Sequence, residues 1–110
     1  MSDEPLSLFG VRCVFHWTWP DPPCFEERIT LWLATDLDDA IAQAEVEALD
    51  YEQDGITYVE FAQAYRTFIE VPVGFEDGQE VFSLLRESEL EVDDYLDTFF
   101  DTGRERQGRK

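Results

Sequence analysis

From Leu6 to Trp19 the chain alternates. Phe9, Val11, Cys13, Phe15, Trp17 and Trp19 fall on one side, and Leu8, Gly10, Arg12, Val14, His16 and Thr18 on the other. Period two with aromatic and branched residues predicts a strand. Pro20-Asp21-Pro22-Pro23 stops it, because proline cannot donate to a ladder. A second strand is expected from Phe25 to Ala34, with Ile29, Leu31 and Leu33 on one face and Arg28, Thr30 and Trp32 on the other. The two strands form a hairpin around the proline loop.

The period then changes. Between Thr35 and Asp54, Leu37, Ala40, Ile41, Ala44, Ala48 and Tyr51 recur at steps of three and four, which makes one apolar helical stripe. Thr35 is the expected cap, Asp36, Asp38 and Asp39 suit the positive end of the helix dipole, and Asp54-Gly55 supplies the stop. Strand character returns over Ile56–Val71. A loop with an Asp77-Gly78 turn, a fourth strand over Glu80–Arg86 and a helix over Val92–Asp101 follow, with Thr102-Gly103 as its stop. This order, β-β-α-β-β-α, predicts an α+β fold with a mostly antiparallel four-stranded sheet and the first helix packed on one sheet face. Residues 1–103 are expected as a single domain and 104–110 as a basic, disordered tail.

Aligning the apolar faces of the first hairpin requires paired residue numbers with an even sum. A sum near 44 sets Cys13 against Leu31 and Arg12 against Trp32, and keeps Cys13 and Cys24 apart as free thiols.

Charge sharpens the picture. The chain of 110 residues holds 26 acids against 8 basic residues, a net charge of -18. Four of the basic residues lie after Gly103, which leaves 25 acids against 4 arginines in the body. Such a surface repels nucleic acid and anionic membrane and steers basic partners. Disorder is not expected, since 44% of residues are hydrophobic and 15% aromatic. The acidic start lacks the positive charge of a secretory leader, and two cysteines make no disulfide framework, so a cytoplasmic, reducing setting is expected.

No catalytic signature emerges. His16 is the sole histidine and lacks an accompanying nucleophile motif. Cys13 sits in an apolar row, and Cys24 lacks the electropositive surround of a reactive thiol. The clusters Asp36/Asp38/Asp39 and Asp93/Asp94/Asp97/Asp101 lack the ligand spacing and glycine of a calcium loop. With so many carboxylates, Glu26-Glu27 and Glu45/Glu47 pair by chance. No catalytic residue, metal ligand or cofactor is therefore assigned.

Tracking the strand faces gives a different candidate. With Val11, Cys13 and Phe15 beneath the first helix, the expected register turns Arg12, Arg28, Arg66 and Arg86 to the opposite, open face. His16, Trp32, Tyr58, Phe68, Phe82 and Leu84 join them there. Arginine and aromatics together favour a partner surface. The alternative is structural, with the arginines paired to acids such as Glu27 or Glu60 and Ala62 and Ala64 seating the second helix.

The segments EERITLW (Glu26 to Trp32), DDAIAQAEVEA (Asp38 to Ala48), FAQAYRTF (Phe61 to Phe68), EVFSLLRES (Glu80 to Ser88) and YLDTFFDTGRERQ (Tyr95 to Gln107) resemble a family of small acidic bacterial proteins catalogued as a domain of unknown function. Its members often carry proline at the first position of the last helix, where this chain has Val92, a position that serves helix initiation. The resemblance implies a compact bacterial domain and brings no catalytic residue or cofactor.

The function expected from the sequence is a non-enzymatic protein–protein interaction module: a complex subunit, a homodimer, or an immunity-type inhibitor that covers a basic partner. The competing class is an enzyme, or a small-molecule or anion binder, that uses the open-face arginines with His16.

Overall fold

The computed structural model describes residues 5–19, 22–100 and 106–107, the last two by backbone alone. Strands β1 (Ser7–Trp17) and β2 (Cys24–Ala34) are followed by helix α1 (Leu37–Tyr51), β3 (Ile56–Arg66), β4 (Gln79–Glu87) and helix α2 (Val92–Phe99). The four strands form an antiparallel sheet, as expected from the sequence, and their order in it is β4-β2-β1-β3. A two-residue strand, β5 (Arg106–Gln107), pairs with the outer edge of β3, so that part of the expected tail joins the sheet. The Thr102-Gly103 stop and the rest of the tail lie outside the described residues, as do Pro20 and Asp21. No helix among the described residues is long and apolar enough to cross a membrane.

The central strand β1 is apolar on both sides because both sides are covered. Phe9, Val11, Cys13 and Phe15 pack under α1 with Ala40, Ile41, Ala44 and Ala48. Small alanines bring the helix close to the sheet. Val14 faces the other way and joins Phe25, Phe61, Tyr95, Leu96 and Phe100 beneath α2. The second helix thus sits on the opposite face from the first, and Ala62 and Ala64 lie in the α1 cluster rather than seating α2.

The first hairpin departs from the expected register. Ser7 pairs with Ala34 and Trp17 with Cys24, an odd sum, so Cys13 lies opposite Arg28 instead of Leu31, and Arg12 opposite Ile29 instead of Trp32. Directly opposed residues share a sheet face. The face under α1 therefore carries Trp32, Thr30, Arg28 and Glu26, and Ile29, Leu31 and Leu33 turn to the α2 side. Burying Glu26 and half-burying Arg28 is tolerable because residues distant in sequence satisfy them, as described below.

A bulge in β3 sets the spacing of its faces. The pairing shifts between Cys13 and Phe15, where Glu60 adopts φ 61. This extra residue keeps Val59 and Phe61 with the α2 cluster and Tyr58 and Ala62 with the α1 cluster. The α1 cap also differs from expectation. Asp36 accepts from the Asp39 N–H at 2.7 Å, and Thr35 N–H donates back to the Asp39 carboxylate at 2.9 Å, a reciprocal cap.

Candidate functional site

The structure splits the sequence-predicted site residues between two faces and a loop. Arg28, Trp32, Tyr58 and Arg66 belong to the α1 side, Arg12, His16 and Arg86 to the α2 side, and Phe68 to the segment after β3. The single open face of arginines and aromatics is not formed: the odd register turns Arg28 and Trp32 of β2 to the α1 side, Tyr58 and Arg66 of β3 lie on that side too, and α2 covers the other face. Trp32 and Tyr58 are core residues, 8% and 4% exposed. Gly78 lies flat on the Trp32 indole, where an added Cβ would stand 3.1 Å from a ring carbon.

On the α1 side the polar residues form a partly buried network. The Glu26 carboxylate accepts from Trp17 Nε1 at 3.0 Å, the Tyr51 hydroxyl at 3.1 Å and the Ser83 hydroxyl at 2.9 Å. Arg28 pairs with Glu47 and Glu80, and its guanidinium lies 4.2 Å from the Tyr51 ring centre. Burial alone would lower the Arg28 pKa, but its hydrogen bonds to Glu47 and Glu80 raise it overall. Burial, then the Glu26 charge, pushes the Tyr51 hydroxyl up to about 12. Tyr58 donates to Glu45 at 2.6 Å. Burial and the charges of Glu45 and Glu47 push the adjacent Cys13 thiol up to about 12. A thiol so raised stays protonated at neutral pH and is a poor nucleophile.

On the α2 side Glu27, 6% exposed, accepts from the Tyr95 hydroxyl at 2.7 Å and from Arg86 at 2.8 Å. Arg12 approaches it at 3.9 Å and lies over the Phe100 ring. His16 stacks on Phe25 and Phe25 on Tyr95, at 4.4 and 3.9 Å between ring centres. Burial lowers the His16 pKa, opposed by the charge of Glu91. These groups fasten α2 to the sheet. Arg66 stands apart at the end of β3, between shallow hollows of about 420 and 440 Å³. Among the described residues it makes no ion pair, and its guanidinium rests 5.2 Å from the Phe68 ring, which is 83% exposed.

Two features escaped the sequence reading. The outer side of α1 carries a second apolar row, Ala42, Val46 and Leu49, spaced i, i+4, i+7, with Val46 69% and Leu49 57% exposed. Exposed Asp38 and Asp50 flank it. Isolated exposed apolar residues need no explanation, but three in one helical row form a stripe. The spacing was visible in the sequence, but the stronger alanine stripe on the other side masked it. The second feature is β4, an edge strand exposed along most of its length.

Compared with family models, curated proteins and solved structures, the chain matches none.

Proposed function

We propose that the protein is a non-enzymatic interaction module that engages a basic protein partner through the outer face of α1. The observation that carries this reading is the Ala42–Val46–Leu49 stripe, left in water on a helix flanked by Asp38 and Asp50. An amphipathic helix of this kind seats its apolar row in a groove, and its acidic flanks select a basic rim. The net charge of -18 supports the same choice, since it speeds encounter with cations and repels nucleic acid. Complex subunit and immunity-type inhibitor are two forms of this function. A reducing cytoplasmic setting and a bacterial origin belong to the proposal, the first supported by two free thiols.

Affinity capture from a bacterial lysate tests it, with wild type and a Val46→Asp/Leu49→Asp variant in parallel. Support is a basic protein retained by wild type, lost with the variant and eluted by about 0.5 M NaCl, where the screening length falls well below 8 Å. Equal retention by both baits would overturn the reading.

A further inference from the structure

We propose that β4 pairs with β4 of a second copy across a two-fold axis through Ser83, joining two sheets edge to edge. Among the described residues no strand occupies the outer side of β4, and α1 and α2 leave its middle uncovered. Val81, Phe82 and Leu85 are 49%, 48% and 54% exposed. An apolar edge of this length is a template for strand addition, and natural proteins shield such edges with charge, proline or a cover. From Val81 to Leu85 there is no charge and no proline.

The sequence of this stretch selects the occupant. It reads Val-Phe-Ser-Leu-Leu, apolar on both sides of a central serine in either direction. An antiparallel copy centred on Ser83 sets Phe82 against Leu84 and Val81 against Leu85, with the two serines opposed. Shifting the centre to Leu84 would set Phe82 against Arg86 and Val81 against Glu87. A two-fold interface must be self-complementary in this way.

The backbone agrees. Ser88 N–H bonds to the Pro23 carbonyl at 3.1 Å, and the ladder places Arg86 opposite Phe25 and Leu84 opposite Glu27. Antiparallel ladders alternate, so the even-numbered residues bond to β2 while Ser83 and Leu85 turn N–H and C=O outward. Ser83 can then exchange both bonds with its own copy. The shift of register between Ile29 and Thr30 ends the pairing stretch at Val81. Beyond it Glu80 turns under the sheet to Arg28 and takes no part.

This contact uses a surface separate from α1 and has the opposite salt dependence. Two bodies of the same charge repel, so association of copies strengthens as salt rises, whereas binding to a basic partner weakens. Sedimentation of the full chain at high micromolar concentration, at low salt and at about 0.5 M NaCl, is the test. The wild type shifts from monomer to dimer as salt rises. Val81→Lys and Leu85→Glu, each confirmed folded by its melting curve, each weaken self-association about tenfold, because the register places a charge on an apolar partner. Mixing the two variants restores dimer, because the lysine of one chain then faces the carboxylate of the other. A wild type monomeric at every salt concentration would overturn the proposal, as would variants that dimerise like wild type or a mixture no stronger than its components.

Discussion

Tyr95 on α2 donates its hydroxyl to Glu27 on β2 at 2.7 Å, and the same carboxylate takes Arg86 at 2.8 Å. This bond spans 68 residues of sequence and fixes which sheet face α2 covers. Tyr95 is fully buried and stacks on Phe25, so its ring stays in place without the hydroxyl. Tyr95→Phe should therefore destabilise by about 1–3 kcal/mol, the cost of an unmade bond to a charged group. Glu27→Ala should cost more, about 3–5 kcal/mol, because it removes the buried acceptor of the Tyr95 hydroxyl and the counter-ion of Arg86, which keeps only its 2.8 Å bond to that hydroxyl. Urea unfolding of both variants checks the order. Equal and negligible losses would mean that Glu27 does not hold α2.

Trp32 and Arg66 separate sharply in energy. Trp32 lies in the α1 core and donates its Nε1 to the Thr30 hydroxyl at 2.7 Å. Arg66 is exposed and rests on an exposed ring. Trp32→Ala should lose about 3–5 kcal/mol, and Arg66→Ala about 1 kcal/mol or less. Thermal melts of the two variants measure the contrast.

The elements and their order were legible because period and turn residues are local signals. The alanine stripe of α1 and the alternation of β1 led directly to buried groups. The register of β2 was not legible. Its alternation assigns Ile29, Leu31 and Leu33 to a core face, yet Glu26 and Arg28 occupy the α1 side. Their partners, Tyr51, Ser83, Glu47 and Glu80, come from other elements and leave no trace in the strand's own pattern. With that register, and with Tyr58 and Arg66 of β3 on the α1 side, went the expected open face. The arginine pairing to Glu27, weighed at the outset as the structural alternative, is what Arg86 and Arg12 make.

The thiols give a chemical check. Both are free, Cys13 buried and Cys24 half-buried. Burial, with Glu87 and Glu26 nearby, raises the Cys24 thiol as well. Native protein at pH 8 should react slowly with a thiol reagent at Cys24 and not at Cys13. Denatured, unreduced protein should titrate two thiols per chain. A denatured count of zero would contradict the structure.

His16 adds an acid-side term to stability. Burial lowers its pKa in the folded state from the ordinary 6.5, so the unfolded chain takes up a proton that the folded chain refuses. Stability on this account falls as pH drops from above 6.5 through the folded-state value and then levels. The quantity to follow is the difference between wild type and His16→Gln. Wild type should lose ground to the variant as the pH falls through 6.5. A constant difference would remove His16 from the pH response.

The most direct test of the account is photo-crosslinking from the outer face of α1. A benzophenone side chain is placed at Val46, and in a control at Val73, which is also exposed but lies in the loop before β4. In the native cellular background the account predicts an adduct with a basic protein from position 46, competed away by salt, and none from position 73. Equal adducts from both positions, or none from position 46, would contradict it.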